Sequence, residues 1–241
     1  MKITTKLLAT TLLFAFSCST QAIPTFVNFQ TITDASYGES AWARQSDPLS
    51  LPRLNLNADF GIDVDIFGVY GSSEAYAYLD KGTAGLGVCR NVSSSAVLGK
   101  HPGSGSNLCN PSSDDNIKGA GEAVKLIFNE GLQVTKIWLN NNHDPDYGLN
   151  GDTVTIDGVN HTFNGPAQNS SLGWLYEFSG TDGIFGAADT LNIAYYTGTS
   201  LRAEEFYISA IEFDAVPEPG TVALLGIGML GIGMMRRRST I

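Results

Sequence analysis

The chain has 241 residues, of which 24 are acidic and 14 are basic, so its formal net charge is -10 at neutral pH. This length allows one ordinary globular domain or two small ones. The composition, 43% hydrophobic with only three cysteines, excludes a polytopic membrane protein and a small disulfide-held scaffold. The negative charge argues against a nucleic-acid partner, because binding to phosphates requires clustered basic residues.

The first 22 residues have the composition of a secretory signal peptide. Lys2 and Lys6 precede an apolar run over residues 7–16, and small or polar residues then lead to Ala22. An apolar run of about ten residues is too short to span a bilayer. We predict cleavage after Ala22 and export of the rest of the chain through the translocon.

Residues 23–215 are predicted to form an exported all-β domain. In residues 59–70, apolar side chains alternate with Gly and Asp, which is the period of a half-buried strand. Further short runs of the same kind cover residues 75–79, 124–128, 134–139, 153–163, 174–178, 190–196 and 205–213. Asp157 and Gly158 can supply the positive φ angles of a tight hairpin turn. Many short strands separated by Gly, Asn and Asp predict an antiparallel β-sandwich of jelly-roll type.

The predicted domain is strongly acidic. It holds nine basic and 23 acidic residues, a net charge of -14. Such a surface favours solubility, resists adhesion to anionic membranes and attracts divalent cations.

Two cysteines lie in a long loop region, residues 81–121, that is rich in Gly, Ser and Asn. Once Cys18 is removed with the signal peptide, Cys89 and Cys109 are the only cysteines left. An exported protein meets an oxidising compartment, so we predict that they form a disulfide. The alternatives, a nucleophile or metal ligands, require a nearby histidine, and His101 is expected in a flexible tip.

An acid-rich loop at residues 144–152 is a candidate calcium site. Its oxygen-bearing residues are Asp144, Asp146, Asn150 and Asp152. Calcium prefers such ligands, but Gly148 interrupts the series and Thr155 stands where an EF-hand has a bidentate Glu. An ordinary turn is the other interpretation. The sequence alone does not distinguish a calcium site from a turn, and we assign no metal or cofactor.

No catalytic pattern stands out, so we predict that the protein is not an enzyme. Residues 38–42 lack the final glycine of a nucleophile elbow, and none of the three histidines has the spacing of a zinc hydrolase. A glycosidase needs two carboxylates across a cleft, and the sequence does not single out a pair. A polysaccharide-acting hydrolase is therefore the third functional hypothesis.

The three tryptophans are candidates for stacking on sugar rings. Trp138 and Trp174 lie within apolar runs and are expected in the core, whereas Trp42 lies in a polar segment. Trp42 is therefore the candidate for sugar binding. A carbohydrate-binding module, with or without calcium, is the second functional hypothesis.

The last residues, 216–241, consist of three parts in a fixed order. Pro217, Glu218 and Pro219 come first, an apolar run over residues 221–235 follows, and Arg236, Arg237 and Arg238 come last. If helical, the apolar run rises about 22 Å, which is short of a hydrocarbon core of about 30 Å. It predicts a marginal transmembrane helix whose arginines stay in the cytoplasm.

These three parts resemble the PEP-CTERM sorting signal of Gram-negative bacteria. The resemblance implies recognition by an exosortase, a membrane cysteine protease, in species that build an exopolysaccharide matrix. The expected path is an inner-membrane intermediate followed by the cell surface or extracellular matrix, where exopolysaccharide is a candidate partner. A structural or interaction role is the first functional hypothesis, and the resemblance implies nothing about the chemistry of the exported domain.

Overall fold

The computed structural model describes residues 24–48, 50–94, 96–101, 107–142, 148–199, 201 and 203–216. Its strands are β1 Thr25–Asn28, β2 Ser40–Trp42, β3 Leu54–Asn55, β4 Val64–Tyr70, β5 Ser73–Asp80, β6 Gly85–Cys89, β7 Glu122–Phe128, β8 Leu132–Asn140, β9 Thr153–Ile156, β10 Val159–Thr162, β11 Trp174–Glu177, β12 Ile184–Phe185, β13 Thr190–Tyr195 and β14 Tyr207–Ala215. Short helices α1 Phe29–Ile32 and α2 Asn57–Phe60 and a π-helical turn Thr33–Tyr37 complete the regular structure of these residues.

The strands pair in one antiparallel path that curves into a half-barrel. The order along the path is β10-β9-β13-β7-β4-β5-β6-β14-β8-β11. Strand β5 joins its two halves, because Ala75 pairs with Gly68 on β4 and Tyr76 pairs with Cys89 on β6. We call the strands from β10 to β4 the β7 half and those from β6 to β11 the β14 half. Strand β3 attaches to β4, β2 to β5, β1 to β14 and β12 to β8.

Both halves bury their apolar side chains in one shared core. Alternate residues of β7, Val124, Leu126 and Phe128, are fully buried there. The Phe128 ring stacks on Phe185 of the β14 half, with 4.4 Å between centroids. At the two ends of the path, the His161 ring on β10 lies 4.3 Å from the Tyr176 ring on β11. The path therefore curls until its terminal strands touch through their side chains.

The all-β antiparallel prediction is confirmed, and so is the hairpin between β9 and β10. Ile156 pairs with Val159, and Asp157 and Gly158 have φ values of 48° and 78°. The strand path does not confirm the jelly-roll arrangement, which stays a prediction. In the described residues no helix has the length and apolar character needed to cross a membrane. The predicted span, residues 221–235, lies outside them.

Two local predictions are wrong. The strand expected at residues 59–70 begins only at Val64, because α2 precedes it and is capped by Gly61, whose φ is 68°. Strand β6 lies inside the predicted loop region 81–121. Its glycines allow a close approach, since a Cβ on Gly85 would lie 2.5 Å from the carbonyl oxygen of Ile208. Glycines that suggested a loop thus permit tight packing against β14.

Candidate functional site

The domain begins on β1 and ends on β14, and these two strands are paired with each other. Strands β1 and β14 are antiparallel, with Thr25 opposite Phe213. Strand β14 stays paired to its last residue, Ala215, which lies opposite Leu132. The two predicted processing signals therefore connect to the domain side by side, and only Val216 separates the sheet from Pro217.

The predicted disulfide between Cys89 and Cys109 is present. Its two Cα atoms lie 5.7 Å apart, and Cys89 is the last residue of β6. Both cysteines are buried in a small cluster with Ala41 and Tyr78. The bridge therefore ties the loop that contains Cys109 to strands β5 and β6.

A buried hydrogen-bond network holds the same loop from its other side. The Tyr78 hydroxyl donates to Glu39 Oε1 at 2.7 Å and accepts from the Leu108 amide at 3.0 Å. The Asn107 amide donates to Asp115, whose Oδ1 accepts from the Tyr207 hydroxyl at 3.0 Å. The network thus fixes the loop residues beside Cys109 to strands β5 and β14.

Burial of this network shifts the pKa values of its carboxyl groups. Burial raises the pKa of Asp115, and the nearby charge of Asp80 raises it further. Burial also raises the pKa of Glu39, although its hydrogen bond from Tyr78 acts in the opposite direction. All three carboxyl groups are buried. Glu39 and Asp115 anchor a loop, whereas a glycosidase needs carboxylates that face a bound substrate.

An open cleft, which we call the Phe67 cleft, lies on the outer face of the β7 half. It has a volume of about 240 Å³, and its polar lining includes Gln45, Ser72, Ser73, Glu74 and Lys125. Phe67 lies opposite Lys125 in the ladder between β4 and β7. Gln45 lines one side of the cleft, and the amide of the adjacent Ser46 donates to Glu74 Oε2 at 2.7 Å. The cleft therefore combines one basic group, one acidic group and several neutral polar groups.

A comparison with protein families identifies the C-terminal segment. The model of the PEP-CTERM protein-sorting motif matches residues 215–238. The chain carries a PEP-CTERM sorting motif. The match begins at the last residue of β14 and confirms the resemblance, and it implies export and processing by an exosortase. No curated protein and no solved structure matches the chain.

The residues that define the PEP-CTERM motif lie outside the described part of the chain. They are Pro217, Glu218 and Pro219 and the basic cluster Arg236, Arg237 and Arg238. Their roles in sorting and in stopping membrane transfer stay predictions. The structure describes only the strand from which this segment continues.

The prediction for Trp42 is wrong. Trp42 lies on β2 opposite Ala77, is 5% exposed and belongs to the core. Its indole nitrogen donates to Ser40 Oγ at 3.0 Å, and its ring leans against Tyr37. The polar residues that precede it in sequence, Glu39 and Ser40, are buried as well, so the local polarity did not mark an exposed segment.

Trp174 and Trp138 were both predicted to lie in the core, and the structure supports this for Trp174 but not for Trp138. Trp174 packs against the core, and its indole donates to the Gly165 carbonyl at 3.1 Å. Trp138 lies between Ile137 and Leu139, which both face the core, so it occupies the outer face of β8. There its ring meets the edge of Phe26, which is 41% exposed, at 5.2 Å between centroids. The period-two pattern of β8 could have identified Trp138 as the outward tryptophan.

The candidate calcium loop is described only in part. Residues 143–147, which include Asp144 and Asp146, lie outside the described part of the chain. Asn150 Oδ1 accepts a hydrogen bond from the Gly165 amide at 2.8 Å. Among the described residues, no group of three or more His, Cys, Asp and Glu side chains could hold a metal ion. Calcium binding by this loop stays a hypothesis.

Proposed function

We propose that this protein is exported, held at the inner membrane by its C-terminal segment, cut there by an exosortase and released to the cell surface or extracellular matrix. Its role after release is structural or one of interaction. The observation that carries the proposal is the match of residues 215–238 to the sorting motif, directly after the last paired residue of the sheet.

The geometry of the domain ends supports this path. Residues 216–220 separate the sheet from the apolar run, and five extended residues reach about 17 Å at most. The end of β14 must therefore stay near the membrane surface until the tail is cut. Because β1 starts beside it, the predicted signal peptide is attached at the same end of the domain.

The charge of the domain supports release after cutting. A net charge of -14 between residues 23 and 215 disfavours adhesion to anionic lipid headgroups. The three arginines of the tail are removed with the membrane segment. Cleavage therefore separates the part that is attracted to the membrane from a part that is repelled by it.

The test replaces Pro217, Glu218 and Pro219 with alanine in the full-length chain. The apolar run and the arginines remain, so we expect the full-length variant to accumulate at the inner membrane. As a matched control, alanine at residues 239–241 leaves all three parts of the motif in place and should be processed normally. C-terminal peptide mapping of fractionated cells measures both. Recovery of an intact Arg238 tail in released wild-type protein, or release of the triple variant at the wild-type level, would contradict the proposal.

Carbohydrate binding is a second candidate function, and the outward position of Trp138 favours it. Its ring and that of Phe26 form an aromatic pair on the outer face of the β14 half. Beside them Lys136 donates to Glu212 Oε1 at 2.9 Å, so polar groups adjoin the rings as sugar binding requires. A glycan array with wild type and Trp138→Ala, each with and without a chelator, tests this role and its dependence on calcium.

We propose that the role of the domain is not catalytic. The burial of Glu39, Asp80 and Asp115 supports this view. Turnover of a polysaccharide or ester substrate by purified protein would overturn it.

A further inference from the structure

Positive charge is scarce in the exported domain, which has nine basic and 23 acidic residues. Two of the nine, Arg53 and Lys125, nevertheless lie near each other, because both donate hydrogen bonds to Gln45. Lys125 lines the cleft, and the Arg53 guanidinium carbon lies 5.6 Å from the centroid of the Phe67 ring. A local excess of positive charge in so acidic a domain suggests a partner that is itself negative.

Neither cation has a carboxylate partner among the described residues. Lys125 Nζ donates to the side-chain oxygen of Gln45 at 3.0 Å. Arg53 donates to the backbone oxygens of Gln45 at 2.9 Å and Asp47 at 3.3 Å. Ion pairs with acidic side chains are formed instead by Arg44, Arg90, Lys100 and Lys136. The charges of Arg53 and Lys125 are therefore not neutralised by an ion pair within the described part of the chain, and Lys125 faces the cleft.

The acidic side chains at and beside the cleft already have hydrogen-bond or ion-pair partners. The Asp47 carboxylate accepts from the Arg44 amide at 2.8 Å and pairs with the Arg44 guanidinium. Glu74 accepts from the Ser46 amide, so it holds the segment that places Gln45 in the cleft. The site is consequently ordered before a ligand arrives, which reduces the entropy lost on binding.

The lining selects one kind of anion. Glu74 stands inside the cleft and would repel a doubly charged phosphate or sulfate ion more strongly than a single carboxylate. Gln45, Ser72 and Ser73 supply amide and hydroxyl groups that match the hydroxyls of a sugar. The volume of about 240 Å³ is below the range of clefts that hold drug-sized ligands and suits a single ring. A sugar ring with one carboxylate satisfies these three conditions.

We propose that the Phe67 cleft binds a uronic acid unit of an acidic extracellular polysaccharide, with Lys125 as the ionic partner of its carboxylate. Arg53 adds positive potential, and Ser72 and Ser73 at the exposed edge of the cleft leave room for the polysaccharide to continue. The proposal deepens the interaction role and rests on it, because an acidic polysaccharide is met only after export.

The test measures binding of a galacturonic acid hexasaccharide by calorimetry, with the full chain purified in a non-ionic detergent. The same hexasaccharide with its carboxylates reduced to primary alcohols is the neutral probe. We expect the neutral probe to bind at least tenfold more weakly, and Lys125→Met to weaken binding of the acidic probe at least tenfold. Arg53→Met should weaken it several-fold, and 0.5 M salt should weaken wild-type binding strongly.

Two variants on the opposite half serve as controls. Lys136→Met removes one positive charge, as Lys125→Met does, and Trp138→Ala removes the aromatic pair. Both should bind the acidic hexasaccharide within twofold of wild type, and all variants should keep the wild-type melting temperature within a few degrees. These measurements use purified protein and do not depend on whether the tail is processed in cells.

Several outcomes would overturn the proposal. Absence of wild-type binding, equal binding of the neutral probe, or unchanged binding by Lys125→Met would each do so. Displacement of the hexasaccharide by micromolar inorganic phosphate would assign the cleft to phosphate instead. Loss of binding in Trp138→Ala alone would place the glycan on the β14 half, so that carbohydrate binding would stand and the cleft site would be wrong.

Discussion

Removal of the disulfide should cost the domain about 3 kcal/mol of unfolding free energy. The perturbation is the double replacement of Cys89 and Cys109 by alanine. The bridge closes a loop with a sequence separation of 20 residues. Closing a loop of this length restricts the unfolded chain by about 11 cal/mol/K in entropy, which is about 3 kcal/mol at room temperature. The buried network around Asn107 and Tyr78 would also lose the loop that the bridge holds in place.

Urea unfolding monitored by tryptophan fluorescence measures this change. With a denaturant dependence of about 2 to 3 kcal/mol/M, the midpoint should fall by roughly 1 M or more. Reduced wild-type protein should unfold like the double variant, and a reducing agent should leave the double variant unchanged. A loss below about 1 kcal/mol would refute the entropic argument. Free thiols in the mature protein, detected by mass spectrometry without reduction, would refute the bridge itself.

Three further predictions follow from burial, backbone geometry and titration. In urea unfolding, Trp42→Ala should lower the unfolding free energy by about 3 to 5 kcal/mol, because its side chain is buried, and Trp138→Ala by about 1 kcal/mol or less. Losses of the same size in the two variants would contradict the assigned positions. Gly85→Ala should lower the unfolding free energy by about 2 kcal/mol or more, because its Cβ would lie 2.5 Å from the Ile208 carbonyl oxygen. Gly131→Ala is the control: nothing lies within 4 Å of its Cβ, so it should change the unfolding free energy little. Burial raises the pKa of Glu39 and Asp115, so the folded state binds protons more tightly than the unfolded state and stability should rise as pH falls from neutral towards about 5. Calorimetry should show this rise, smaller in Asp115→Asn, and a melting temperature that falls steadily over that range would be the contrary result.

Much of the sheet was predictable from sequence because its strands alternate. Residues 124–128 and 134–139 were predicted from their period of two, and the structure extends them to Glu122–Phe128 and Leu132–Asn140. Asp157 and Gly158 defined their hairpin because a two-residue turn with positive φ angles favours that pair. Strand β6 gave no such signal, since its glycines serve close packing with distant residues. The path order depends on the same long-range pairing and had no local signature.

The candidate sites were predictable only where the chemistry is local. The sorting motif is a short contiguous pattern, and the disulfide followed from the number of cysteines and the compartment. The Phe67 cleft was not predictable, because Gln45, Glu74 and Lys125 come from distant segments that only the fold brings together. Trp42 and Trp138 were misplaced because the polarity of neighbours in sequence was weighed above the direction of each side chain along its strand.

The antiparallel pairing of β1 with β14 also makes this domain a candidate for circular permutation. Thr25 lies opposite Phe213, so a short linker could join the two present ends without crossing the fold. New ends could open in the exposed turn at Asp157 and Gly158, which sits between two strands at the end of the path. A sorting tail attached there would present a different face of the domain to the membrane. The point at which the tail leaves the domain is thus set by where the chain is opened, and could be changed while the sheet is kept.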